Sequence, residues 1–158
     1  MLALLLSVLL GLFSVSFAEN VDPLTAFGYD SSALVETVQL KDGLLTKHII
    51  RAGEGRQPTQ GAQVTAHYTG KLASDGTKFD SSVDRGDPFS FTVGVGQVIK
   101  GWDLAFESMK KGEKAVIVID SSLGYGARGA GGMIGPGATL LFEVELISFV
   151  GGSSQEEL

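Results

Sequence analysis

The chain has 158 residues, enough for one domain with short appendages. Its formal charge of −6, with no basic stripe to offset it, excludes a nucleic-acid binder. It has no cysteine and two histidines, which excludes a disulfide framework and leaves too few ligands for a metal site.

Residues 1–18 are almost wholly apolar, and Ser16-Phe17-Ala18 puts small residues where a signal peptidase reads. Polar Glu19 and Asn20 follow at once. The stretch reads as a cleavable signal peptide, although no Lys or Arg precedes its apolar run. An uncleaved anchor, which needs about 17 to 25 residues, is the alternative and the one route to a membrane. Either way the body is expected outside the cytosol. The secretory pathway and the endoplasmic reticulum lumen come first, with secretion or a bacterial periplasm as alternatives.

Residues 19–35 carry Pro23, Gly28 and Asp30 without a period and are expected as a loose lead-in. The domain proper is expected over 36–150. Residues 36–40 and 45–52 have strand character, joined by the tight turn Lys41-Asp42-Gly43. Three glycines and Pro58 make 53–61 a loop. Val64, Ala66 and Tyr68 then alternate with Thr65, His67 and Thr69, a half-buried strand with Tyr68 on its apolar face. His48 and His67 both fall on strands and read as partly exposed strand residues. Ser74-Asp75-Gly76 turns the chain into a second extended run, Lys78-Phe79-Asp80-Ser81-Ser82. Residues 84–88 end that run at Pro88, which a central strand cannot hold. Phe89, Phe91 and Val93 alternate in a further strand.

The single tryptophan, Trp102, follows Val98-Ile99-Lys100-Gly101. Gly101 lets another group approach the backbone, and the indole offers a large flat apolar face. Leu104 to Met109 are mostly good helix formers, closed by Lys110, Lys111 and a C-cap glycine, Gly112. Trp102 is therefore expected to open a helix whose N-terminus faces a cavity; an ordinary core tryptophan is the alternative. Residues 116–119 form a β-branched strand. Leu140, Phe142, Val144 and Leu146 alternate with Leu141, Glu143 and Glu145 in a last one. Between them, 121–138 is long for a structureless loop; Tyr125, Met133 and Ile134 within it suit a lid or wall. The fold class is α+β, an antiparallel sheet curled around one short helix.

Gly124-Tyr125-Gly126-Ala127-Arg128-Gly129 has dinucleotide-loop spacing. The glycines run on to Gly135 and Pro136, so no helix opens to hold a pyrophosphate, and no cofactor is expected. No nucleophile–histidine pair is readable. What remains is aromatic: Tyr68, Phe79, Phe89, Trp102, Tyr125 and Phe142 come from six segments, as the lining of an apolar pocket would. Asp80 and Arg85 flank a bend, either as a surface ion pair or as a pair at the pocket rim. At the far end, Gly151-Gly152-Ser153-Ser154 is a flexible tether. The last four residues, Gln155-Glu156-Glu157-Leu158, resemble a Lys-Asp-Glu-Leu retrieval signal or form an ordinary acidic tail.

Several motifs together resemble the FKBP-type peptidyl-prolyl cis–trans isomerases. They are His67-Tyr68-Thr69-Gly70, Lys78-Phe79-Asp80-Ser81-Ser82, Pro88-Phe89, Gln97-Val98-Ile99-Lys100-Gly101-Trp102, Tyr125-Gly126, and Ala138-Thr139 running through Phe142 to Leu146. Their order and spacing are kept over residues 45–149. The resemblance implies a sheet wrapped around one short helix, with a proline-binding pocket between them. It implies catalysis of X–Pro isomerisation in protein folding, with neither cofactor nor metal. Its partners would be proline-containing polypeptides and macrolides such as tacrolimus and rapamycin.

Carried over by position, the resemblance makes Trp102 the pocket floor. Tyr68, Phe79, Val98, Ile99 and Phe142 become its walls, with Phe89 nearby. The Ile99 N–H and the Tyr125 hydroxyl would hold ligand carbonyls. Asp80 would be the pocket carboxylate, organised by Arg85 and Tyr125. Met133 and Ile134 would sit where the long loop covers the site. Ala130, Gly135, Gly137 and Gln97 depart from common members, and bear on loop rigidity, substrate preference and macrolide affinity. A non-catalytic proline-peptide or macrolide binder is the alternative function, and a general apolar-ligand barrel a third.

Overall fold

The computed structural model describes residues 19–152. The signal-peptide reading of 1–18 and the retrieval-signal reading of 155–158 lie outside the described residues. In chain order the elements are β1 (Glu36–Lys41), β2 (Leu45–Arg51), β3 (Ala62–Leu72), β4 (Lys78–Ser81), α1 (Ser82–Arg85), β5 (Phe89–Thr92), α2 (Lys100–Glu107), β6 (Lys114–Ile119) and β7 (Leu140–Gly151). All seven strands join one antiparallel sheet, ordered β1-β2-β6-β7-β3-β4, with β5 also paired to β3. This is the expected α+β class.

Alternation sets the faces. Along β3, Val64, Ala66 and Tyr68 are buried while Thr65, His67 and Thr69 are half-exposed. The long pairing of β3 with β7 is the spine, running from Ala62↔Gly151 to Leu72↔Leu140. The sheet curls over α2, whose residues reach β3, β5, β6 and β7. Trp102 meets Tyr68 and Phe142, and Phe106 meets Phe91. A Cβ on Gly101 would lie 2.6 Å from Ile119 Cγ2, so only glycine lets the helix sit this close to β6. Trp102, Ala105, Phe106 and Met109 recur at helical spacing and are buried. Each large side chain so buried contributes about 1.5–3 kcal/mol. Packing therefore places this eight-residue helix, which is too short to be stable alone.

Three expectations are corrected. First, the helix runs Lys100–Glu107 and is capped by Ser108, so Gly112 is not its C-cap. The last turn tightens, with Ser108 and Met109 N–H groups donating three residues back. Gly112 instead turns the chain into β6, and its N–H donates to Leu146 O at 2.8 Å. Second, a one-turn helix, α1, stands where extended chain and a break were expected. Ser81 Oγ accepts from Asp84 N at 3.2 Å to cap it, and Gly86 closes it in a left-handed conformation.

Third, the lead-in is docked. It forms two 3-10 turns, Thr25–Phe27 and Ser31–Ala33, with Asp22 and Asp30 accepting from backbone N–H groups. Val21 N donates to Ala73 O, and Val35 N to Ile49 O, both at 2.8 Å. Lys71 donates to Ala26 O and lies over the Phe27 ring, and Lys114 lies over Tyr29.

Candidate active site

Where β3, β4, β5, β7 and the N-terminal end of α2 converge, they leave a cavity of about 450 Å3. Trp102 is its floor, a buried ring 5.0 Å from Tyr68 and 5.3 Å from Phe142 between centroids, both edge to face. Phe91 and Phe106 support it at 5.7 and 5.2 Å. The indole N–H is buried with no acceptor among the described residues. Phe79 and Phe142 meet at 5.5 Å with their planes at 90°, forming one wall. Phe89 comes from β5, Val98 and Ile99 from the loop before α2, and Tyr125 from the long loop.

The lining takes in every expected floor and wall residue together with Asp80 and Tyr125, and adds Gln97. Gln97 opens the motif that runs to Trp102 and is one of the departures from common members, and it was not expected as a wall. It enters because its Oε1 accepts from Thr92 N at 2.8 Å, folding the side chain back against the loop. Arg85 stands outside the lining but touches it through Asp80. Met133 and Ile134 do not line the cavity. Ile134 pairs with Ala130 and is buried in the core, whereas Met133 is half-exposed.

The carboxylate is organised differently from expectation. Its hydroxyl partner is Tyr68, donating to Asp80 Oδ2 at 2.5 Å. Arg85 donates to Asp80 Oδ1 and, at 3.1 Å, to the Tyr68 hydroxyl. Ser81 N donates to Oδ1 at 2.8 Å. Strand pairing explains this: Gly70 lies opposite Asp80 and Thr69 opposite Ser81, so Tyr68 reaches across the β3–β4 ladder. The α1 turn then brings Arg85 back over the same carboxylate.

Burial raises the Asp80 pKa, but hydrogen bonds from Tyr68 and Arg85 and the guanidinium charge outweigh it. The net direction is below the ordinary carboxylate value. Burial, and then the neighbouring carboxylate, push the Tyr68 and Tyr125 hydroxyls upward. The site therefore combines a fixed anion and neutral phenols at its rim with an apolar floor. Among the described residues no group of three or more His, Cys, Asp or Glu side chains could hold a metal ion.

A sheet curled over one helix, with an aromatic-lined pocket and a tethered carboxylate, defines an α+β protein built around an apolar cavity. The profile of the family described as FKBP-type peptidyl-prolyl cis-trans isomerase matches residues 54–147. The chain belongs to that family. It is 55% identical over 105 residues to an FK506-binding protein of Neisseria meningitidis serogroup A, covering 66% of this chain and 95% of that protein. It is 56% identical to FK506-binding protein 1 of Dictyostelium discoideum, covering 64% and 94% of the two chains. It is 52% identical to a peptidyl-prolyl cis-trans isomerase of Schizosaccharomyces pombe, covering 65% and 91%.

Proposed function

We propose that this isomerase accelerates X–Pro rotation in proline-containing polypeptides folding in the secretory route, above all in the endoplasmic reticulum lumen. The apolar residues 1–18 and the terminal Gln155-Glu156-Glu157-Leu158 support that address. Tacrolimus- and rapamycin-type macrolides are proposed as competitors for the same pocket. The observation that carries the chemistry is an aromatic floor and walls with a single hydrogen-bonded carboxylate at the rim.

No bond is made or broken in this reaction. The barrier to rotation, about 18–20 kcal/mol, comes from C–N resonance. A twisted amide has lost conjugation and part of its carbonyl polarity, so an apolar pocket disfavours it less than the planar ground state. Contacts that fit the twisted form better than the planar one lower the barrier further. Trp102 receives the prolyl ring, while the Ile99 N–H and the Tyr125 hydroxyl hold flanking carbonyls. Asp80 fixes Tyr68 and Arg85 and transfers no proton.

The test is the cis-to-trans rate of a short X–Pro peptide with residues 19–158, beside a Tyr68→Ala, Phe79→Ala double variant. The expected result is acceleration by the parent and a loss on the order of 100-fold in the folded variant. A folded parent without acceleration would leave the pocket as a binding surface.

The pH profile is a second expectation. With Asp80 held below the ordinary carboxylate value and both tyrosines held up, kcat/KM is expected to be flat from about pH 5 to about pH 9. The stability that Asp80 adds is complete above about pH 3.9 and is lost as pH falls through its depressed value. A limb inside the flat range would mean that another titrating group, such as one of the two histidines, acts on the site.

A further inference from the structure

Asp103 is a buried carboxylate, 3% exposed, in the first turn of α2, outside the pocket lining. Both of its oxygens accept from the loop before the helix. Oδ1 accepts from Gly94 N at 2.8 Å and Oδ2 from Gly96 N at 3.1 Å. Its own N–H donates to Ile99 O, as does that of Trp102. One residue therefore ties the start of the 93–99 loop, through its side chain, to the end of the loop, through its backbone.

That loop carries Val98 and Ile99, two pocket walls, and the Ile99 N–H aimed at a ligand carbonyl in the proposed mechanism. Gly94 and Gly96 hold φ of +78° and +76°, so the loop has an unusual shape that needs external fixing. Asp103 supplies it from the helical turn that also bears Trp102. Its charge suits the place, since the first turn of a helix favours an anion. Gln60 Nε2 on Gly94 O and Gln97 Oε1 on Thr92 N brace the same loop from outside.

We infer that Asp103 is a positioning residue for isomerisation, setting the Val98–Ile99 wall against the Trp102 floor through the amides of Gly94 and Gly96. It touches no substrate and acts through the loop. The inference rests on the isomerase reading.

The test compares the parent chain with Asp103→Asn, which keeps the size but removes one acceptor. Leu45→Val, a core change outside the pocket lining, is the comparator for stability alone. Asp103→Asn is expected to lower kcat/KM for an X–Pro peptide about tenfold or more while the chain stays folded. Hydrogen exchange at the Gly94 and Gly96 amides is expected to speed up in the same variant. Leu45→Val is expected to lower the melting temperature but to leave kcat/KM within about twofold. A folded Asp103→Asn with parental kcat/KM overturns the inference, whatever its exchange rates. Where Asp103→Asn does not fold, Gly96→Ala decides. Nothing lies within 4 Å of its added Cβ, so it strains the loop without disturbing the core. Parental kcat/KM in that variant overturns the inference as well. An inactive parent overturns the isomerase reading and this inference with it, and so is distinguishable from failure of the inference alone.

Discussion

Gly70→Ala is expected to lower kcat/KM toward an X–Pro peptide about 100-fold in a chain that still folds. Gly70 lies in β3, opposite Phe142 on one side and Asp80 on the other. A Cβ there would stand 2.6 Å from Phe79 Cζ and 2.7 Å from Phe142 Cε1. Carbon contacts relax near about 3.5 Å, so both rings must retreat by a large part of an ångström. Those rings are the wall that faces Trp102. Overpacking of this kind costs about 1–3 kcal/mol, which a domain with about 5–15 kcal/mol of stability survives. Catalysis is less tolerant, because it depends on where the walls stand. Adding Phe79→Leu to Gly70→Ala should restore stability by vacating space and should not restore the rate. The readouts are the denaturant midpoint and kcat/KM for the single and double variants. An unchanged rate in Gly70→Ala would mean that these rings do not set it.

Residue periodicity reaches as far as a face and stops short of a neighbour. Alternation along 64–68 placed Tyr68 on the buried side of its strand, and the structure agrees. It could not say that Tyr68 would meet Asp80, because that depends on the β3–β4 register and its irregularity at Gly70/Lys71. The same limit applies to Arg85. Five residues from Asp80, it reaches the carboxylate because α1 inserts a single turn, too short to leave a helical period. Aromatic identity was legible in a way that pairing was not. Each ring expected at the pocket lines it: Tyr68, Trp102 and Phe142 are buried at its base, and Phe89 and Tyr125 stand more exposed at its edge. Ile134 was misplaced because a loop has no period to distinguish its buried residue from an exposed neighbour such as Met133. The lead-in looked loose for a related reason. Lys71 and Lys114 help to hold it, beside the backbone bonds to Ala73 and Ile49, and all of these partners lie far along the chain with nothing in their own surroundings to announce the contact.

Lys47 shows the same limit at its largest energetic scale, and Lys47→Met is expected to cost about 3–5 kcal/mol of stability. Lys47 sits between Leu45 and Ile49 on the buried face of β2, an apolar row that a charge should not enter alone. Its Nζ donates to Ser108 O at 3.0 Å, at the C-terminal end of α2, where a cation is favoured. It also lies 2.7 Å from Glu113 Oε1, with both side chains 5% exposed or less. Glu113 Oε2 in turn accepts from Lys110 N at 3.0 Å. Removing the lysine strands a carboxylate in the interior, and that is the dominant penalty. The expected fall in melting temperature is on the order of 10–20 °C. Changing both residues, Lys47→Met with Glu113→Met, should cost less than the single change, since no charge is then left unpaired. Some loss should remain, because Lys110 N still lacks its acceptor. Neither residue lines the pocket, so the folded fraction of both variants should keep kcat/KM within about twofold of the parent. Thermal and denaturant unfolding of the two single variants and the double variant measures the coupling directly. A Lys47→Met single variant that loses under about 1 kcal/mol would mean that water or a moved side chain satisfies Glu113 and that the pair is not shielded.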